Sequence, residues 1–269
     1  MCLRGSVWLD PRYTSTVNSS DQHDGNANVE PVVRLPLLQL VDQGFLPQTP
    51  EHDCPYLSDR MAREEAFVID RLDANVYHDL MDRGFRRSGD FFYRPACESC
   101  RACVPLRVVV DEFSPSKSQR RVARRNDDVR FMMNRPELTA EKEELYARYL
   151  LYQHPDSTQA QDPSGVDEFL YSACVDSREV CYFVEERLIA VSIIDVCDRS
   201  ISSVYHYFEP GEAERSPGVF SVLTEIEMCR QRGVPHYYMG YWVEGAKTMG
   251  YKANYQPHER LIDGVWKRL

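Results

Sequence analysis

Long apolar runs are missing from this 269-residue chain: nowhere do about 18 such residues follow one another, so no membrane span is expected. The first ten residues carry one basic side chain and no apolar stretch of signal-peptide length, which argues against export. Residues 12–30 hold almost no large apolar side chain and are rich in Asn, Ser and Asp. Such a segment cannot offset its ordering entropy, and a disordered or extended tail is expected over residues 1–50. An even, regularly spaced set of cysteines is absent too. Of nine, Cys2, Cys54, Cys174, Cys181, Cys197 and Cys229 are scattered and three are clustered, which fits a reducing cytoplasm better than a disulfide framework.

What is present is a basic island in an acidic protein. The chain carries a formal charge of −10, yet Arg83 to Arg135 holds 13 basic against 6 acidic residues. Local potential rather than net charge positions a polyanion, so this window is the expected nucleic-acid-facing part. Within it, Ser116 to Arg125 reads as a helix on which Arg120 and Arg124, and Arg121 and Arg125, stand four apart. Like charges at that spacing repel unless an anion lies opposite. Upstream, Asn75 is the expected cap of a helix ending at Gly84, followed by strands over Phe91–Tyr93 and Leu106–Val110.

Beyond Pro136 the pattern changes. Glu141 to Gln153 reads as an amphipathic helix with Leu145, Tyr149 and Tyr152 on one side. Val180–Val184 and Leu188–Val196 read as a β-hairpin and Ile201–Phe208 as a third strand. Pro217 to Arg232, closed by Gly233, reads as a helix, and His236–Val243 as another strand. Antiparallel strands, a helix and a further strand imply an α/β fold with a mixed α+β sheet, of the acyl-CoA N-acyltransferase (GNAT-like) type, behind an N-terminal cysteine-containing region. The expected division is 51–135 for the N-terminal domain and 136–269 for the acyltransferase-like one.

Four places could carry chemistry. Cys97, Cys100 and Cys103, at C-x-x-C-x-x-C spacing, could share a metal with Cys54 as the fourth ligand, in a structural zinc or iron–sulfur site; three packing cysteines beside a turn is the bland alternative. Asp195 sits in an apolar strand, where it either pairs with a basic group or serves a cleft as proton acceptor, beside Tyr205, His206 and Tyr207. The turn Arg215-Ser-Pro-Gly218-Val-Phe220 resembles a CoA pyrophosphate loop, but Phe220 stands where a small residue is needed. Tyr241, Trp242 and Tyr251 with Lys247 and Lys252 would suit stacking and phosphate contact with single-stranded RNA.

Taken together, Cys54-Pro-Tyr56, Gly84-Phe-Arg-Arg-Ser-Gly89, Tyr93-Arg-Pro leading into the three cysteines, Pro105-Leu-Arg-Val108, Ser118-Gln-Arg-Arg121, Ser202-Ser-Val-Tyr205 before Phe208-Glu-Pro210, Gly240-Tyr-Trp-Val243 and Tyr251-Lys-Ala253 resemble the aminoacyl-tRNA–protein transferases. The bacterial aspartate/glutamate leucyltransferases are the most similar subgroup, over about Cys54 to Leu269. The chain departs from their pattern at Ala246-Lys247, where the family commonly has Cys-Pro, and after Asp195, where Leu-Pro is common. The resemblance implies transfer of leucine from Leu-tRNA, or of arginine from Arg-tRNA, to the N-terminal Asp or Glu of acceptor proteins, marking them for N-degron degradation. A CoA-dependent N-acetyltransferase is the alternative on the same fold. In the expected division of roles, Asp195 orients or deprotonates the amine, and Tyr205 and Tyr207 line the aminoacyl pocket. Arg86, Arg87 and Ser88 hold the acceptor carboxylate, while Lys117, Gln119, Arg120, Arg121 and Lys252 grip tRNA phosphates. The ester arrives activated, so no cofactor is required for the chemistry. Eukaryotic relatives that transfer arginine carry an iron–sulfur cluster, which keeps the cysteine set as a candidate metal site.

Overall fold

The computed structural model describes residues 37–172, 174–246 and 248–269. The tail expected at 12–30 and Lys247 lie outside the described residues. After a short antiparallel pair, His52–Asp53 with Met61–Ala62, comes a three-stranded antiparallel sheet of β1 (Glu64–Val68), β2 (Arg86–Ser88) and β3 (Phe91–Pro95), in the order β1-β3-β2. Helix α1 (Ala74–Asp82) covers it, burying Val76, Tyr77, Leu80 and Met81 with Phe85 and Phe92. Its cap is Asp73, whose side chain accepts from the Asn75 and Val76 amides; Asn75, the expected cap, lies inside the helix, two residues past the actual one.

The main sheet has eight strands: β4 (Cys103–Val109), β5 (Val129–Asn134), β6 (Ser177–Val184), β7 (Arg187–Cys197), β8 (Ser200–Phe208), β9 (His236–Val243), β10 (His258–Ile262) and β11 (Val265–Arg268), in the order β11-β10-β4-β9-β8-β7-β6-β5. The hairpin and third strand read from the sequence are β6, β7 and β8. Strands from both sides of residue 135 share this sheet: β4 lies between β9 and β10, and β5 forms one edge.

Three helices flank it. Helix α2 (Lys117–Arg125) opens with a capping box in which Ser116 and Gln119 satisfy each other's backbone amides. Helix α3 (Ala140–Gln153) turns Leu145, Tyr146, Tyr149 and Leu150 into a core with Val191, Ile193 and Tyr207. Tyr152, expected on that side, is exposed instead in the last turn of the helix, where its ring only edges against Phe208. Helix α4 (Pro217–Arg232) starts on Pro217 and ends at Gly233 in the left-handed region, and it packs its apolar face on the other side of the sheet, against Ile194, Ile201 and Tyr237. No helix among the described residues is long and apolar enough to cross a membrane.

Candidate active site

The parallel pair β8 and β9 stays in register only for Ser200–Ser202 opposite His236–Tyr238. Beyond this point each strand carries a bulge, β8 between Ser203 and Tyr205 against β7, and β9 between Tyr238 and Gly240 against β4. Bulges bend the strand that carries them and re-aim its side chains. The parted strands open a cavity of about 670 Å³, walled by Ser203–His206, Met239–Tyr241, the start of α4, and Tyr149 and Phe169.

Arg86 enters this cavity from β2. Its Nη1 donates to Ser202 Oγ at 2.6 Å and its Nη2 to the Ser203 carbonyl, so the guanidinium is pinned on the diverging strand. Gly240 makes room for it: its φ is +80°, and a Cβ there would sit 3.3 Å from Arg86 Nε. A lone glycine in an aromatic strand signals close backbone approach, and that signal is present in the sequence. Lys252 faces the same cavity, buried, donating from Nζ to the Tyr241 carbonyl at 2.9 Å. Burial, and secondarily the Arg86 charge, push its pKa down to about 7. Ser88 lies on the same wall.

Tyr205 also lines the cavity, boxed by rings: Phe169 at 5.4 Å, Tyr146 at 6.0 Å and Tyr149 at 6.4 Å between centroids. Tyr207, two residues on, does not reach it. That side chain is fully buried with its hydroxyl 2.6 Å from that of Tyr171.

Arg87 and Asp195, expected in two different substrate contacts, bind each other. Arg87 donates from Nε to Asp195 Oδ2 at 2.7 Å and from Nη2 to Oδ1 at 2.6 Å. Its remaining donors go to Ser177 Oγ and the Gly89 carbonyl, and Ser177 donates to Asp195 Oδ1 at 2.8 Å. The two side chains are 0% and 1% exposed. Burial alone would lower the Arg87 pKa, but the Asp195 charge and hydrogen bonds outweigh it and raise it. Asp195 therefore takes the pairing role, not that of a proton acceptor in the cleft, and the ion pair fastens the three-stranded sheet to the main one.

The basic helix separates in the same way. Lys117, Arg120 and Arg121 are exposed on α2 with Arg124 and Arg125. Gln119 is buried, holding the cap through Oε1 and donating from Nε2 to the Asn254 carbonyl, so it is not placed to meet a phosphate. Lys252 is likewise inside the cavity rather than on that surface. The C-terminal end of α2 reaches the rim of the cavity: Arg125 donates to the Glu214 carbonyl, and Asn126 to that of Arg215 at 2.9 Å. Arg215 is committed to Asp128 and Glu212, and Phe220 is buried in the core, so this turn offers no free arginine to a pyrophosphate.

Cys54, Cys97, Cys100 and Cys103 line a second cavity of about 590 Å³, which shares Tyr56, Ser88, Tyr93 and Tyr241 with the first. Burial, then the charges of the other three cysteines, push the Cys103 thiol up to about 12. Cys100 Sγ instead accepts from Arg60 at 3.2 Å, and Cys97 Sγ donates to the Arg63 carbonyl at 3.7 Å. Among the described residues no three His, Cys, Asp or Glu side chains converge on a point that could hold a metal ion. The four thiols share a cavity but as placed do not fit a zinc or iron–sulfur centre.

A mixed sheet parted at a parallel strand pair, with a cationic and aromatic cavity at the split, defines an α/β acyltransferase-type enzyme. Family models agree and are more specific. Residues 52–121 match the N-terminal and 141–262 the C-terminal part of the arginine-tRNA-protein transferases. The chain belongs to this family of aminoacyltransferases. It is 39% identical over 225 residues to the aspartate/glutamate leucyltransferase of Marinobacter nauticus, covering 82% of this chain and 94% of that protein. The protein of the same name from Thiobacillus denitrificans is 38% identical over 223 residues, covering 82% and 93%. Among solved structures, a conserved protein of unknown function from Bacteroides thetaiotaomicron aligns over 87% of this chain and 73% of that one, with 12% identity and a TM-score of 0.45. FemX aligns over 65% and 61%, with 8% identity and a TM-score of 0.42.

Proposed function

We propose that this chain transfers leucine from the 3′ end of Leu-tRNA to the α-amino group of an acceptor protein that begins with Asp or Glu, marking that protein for N-degron degradation. One observation carries the reading. Among the described residues, the cavity wall holds Arg86, Arg87 and Lys252 and many aromatic rings, but no carboxylate. An acidic acceptor side chain needs fixed cations, and Arg86 and Lys252 supply them; charge-assisted hydrogen bonds to a carboxylate are the strong ones. A leucyl side chain suits the ring box around Tyr205, whereas an arginyl one would need an acid that this wall does not offer.

The ester is already activated, so the main task is alignment of two reactants. The acceptor amine, with a pKa near about 8, is partly neutral at physiological pH. Arg86, Lys252 and Ser88 hold the acceptor end, and Tyr205 the donor side chain. The phosphates of the acceptor stem run over Lys117, Arg120 and Arg121 toward the rim at Ser216. All eight described cysteines are free thiols, which supports work in a reducing cytoplasm.

The test offers an Asp-starting peptide with Leu-tRNA or Arg-tRNA and reads the product by mass spectrometry. Addition of leucine is expected. Addition of arginine alone, or of neither, would overturn the reading.

A further inference from the structure

The ring box around Tyr205 has one side of unusual build. Asp167–Tyr171 wind as a single π turn, a geometry that is rare and recurs at functional sites. Its residues divide by what they face. Asp167 and Glu168 are exposed, while Leu170 and Tyr171 are buried in the core that α3 shares with the main sheet. Phe169 is the one residue of the five that lines the cavity. Its ring meets that of Tyr205 edge to face, with 5.4 Å between centroids and 78° between planes.

Two contacts fix the backbone of this turn. The Tyr171 hydroxyl lies 2.6 Å from that of Tyr207, and the Gly89 amide donates to the Phe169 carbonyl at 3.1 Å. Gly89 has a φ of +61°, and a Cβ there would lie 2.6 Å from the Glu168 carbonyl oxygen, so a glycine is needed for the two backbones to come this close. The Gly89 carbonyl is in turn held by Arg87 Nη1 at 2.9 Å. The segment that carries Arg86 on the acceptor side therefore also anchors Phe169 on the donor side.

We infer that Phe169 is the specificity-determining residue for the donor: it limits the aminoacyl pocket to a branched aliphatic side chain and excludes an aromatic one. This rests on the transferase reading above and assigns its donor selection to one wall. Two rings in edge-to-face contact at this distance leave no room for a third between them. An isobutyl group needs no such room, since it can rest in the apolar corner formed by Tyr149, Phe169 and Tyr205. A phenyl side chain could pack against Tyr205 in the same way only by taking the place of Phe169, and the anchored turn keeps Phe169 there. The other walls are parts of the core. Tyr146 and Tyr149 stand on α3, 1% and 8% exposed, whereas Phe169 is half-buried. Truncating Phe169 therefore opens space toward the cavity and leaves the core filled.

One leucine-accepting tRNA is charged with leucine or with phenylalanine, so that the RNA is the same in both donors. Transfer to an Asp-starting peptide is measured for the wild type, Phe169→Ala and Phe169→Leu. The wild type should favour leucine in kcat/KM by at least about 10-fold, the discrimination an apolar pocket gives for a methylene or more. In Phe169→Ala the value for phenylalanine should rise and that for leucine fall, and the preference should shrink by about 10-fold or more, as a phenyl ring takes the vacated place against Tyr205. Phe169→Leu, nearer in volume, should shrink it by about 3-fold or more and carries the test should the alanine variant not fold. The peptide KM should hold within about 2-fold in both, because Arg86 and Lys252 are untouched. A merely structural role would lower both donors alike. Loss of both donors in equal measure, a preference that neither variant shrinks by about 3-fold, or a wild type that uses phenylalanine as readily as leucine would overturn the assignment. A wild type that transfers neither amino acid would instead overturn the function proposed above.

Discussion

Replacing Asp195 by Asn separates a structural role from a catalytic one. The substitution removes the charge while keeping the shape, and leaves Arg87 protonated in a site where it is 0% exposed. Ser177 and the Gly89 carbonyl still accept from its Nη atoms, but the two direct bonds at 2.6 and 2.7 Å lose their anionic acceptor. Breaking a buried pair by removing one partner costs about 3–5 kcal/mol. For a chain of this size about 1 kcal/mol moves the melting temperature by about 2–4 °C, so a drop on the order of 10 °C is expected. Calorimetry or denaturant titration measures it. At a temperature where the variant is folded, its kcat should stay within about 3-fold of wild type, since the carboxylate does not reach the cavity. Removing both charges, as Arg87→Met with Asp195→Leu, should recover most of the lost stability, because paired burial is worth little against an apolar replacement. An Asp195→Asn protein that melts like the wild type but transfers leucine about 100-fold more slowly would refute this and return Asp195 to the chemistry.

Arg86→Lys cannot bond Ser202 and the Ser203 carbonyl and still face the cavity, so the KM for an Asp-starting peptide should rise about 10-fold or more, read from initial rates. Lys252 has a pKa pushed down to about 7 and must be protonated to hold a carboxylate. Acceptor KM should therefore be level below pH 7 and rise above it, and Lys252→Met should raise KM and flatten that dependence. For the RNA, Arg120→Ala with Arg121→Ala should weaken Leu-tRNA binding and reduce the salt slope by about 1 for each phosphate no longer neutralised, measured by filter binding across a salt series. Peptide KM should not change in that variant.

Local signals in the sequence were sufficient for the four helices and for β3, β4 and β6 to β9, but not for β1, β2, β5, β10 and β11. Ser116 and Gln119 announce the start of α2, Pro217 and Gly233 bound α4, and apolar runs on either side of a tight turn give β6 and β7; each is a property of a few adjacent residues. Arg86 and Tyr205 could be named as site residues because motifs mark them, and the fold brings both to one cavity. Which neighbours Arg87, Asp195, Tyr207 and Gln119 would meet was not written locally. Arg87 and Asp195 are 108 residues apart, and adjacent arginines on one short strand point to opposite faces, so Arg86 goes to Ser202 and Ser203 while Arg87 is taken by Asp195.

The sequence by itself determined the helices, the strands β3, β4 and β6 to β9, the basic face of α2 and the family, because capping, apolar runs and motif spacing are short-range. Tertiary structure alone decided that β4 would enter the main sheet, that Lys252 would turn inward, and that Arg87 would meet Asp195. Those outcomes depend on which distant surfaces exclude water together, and on which buried charge must find a partner once they do.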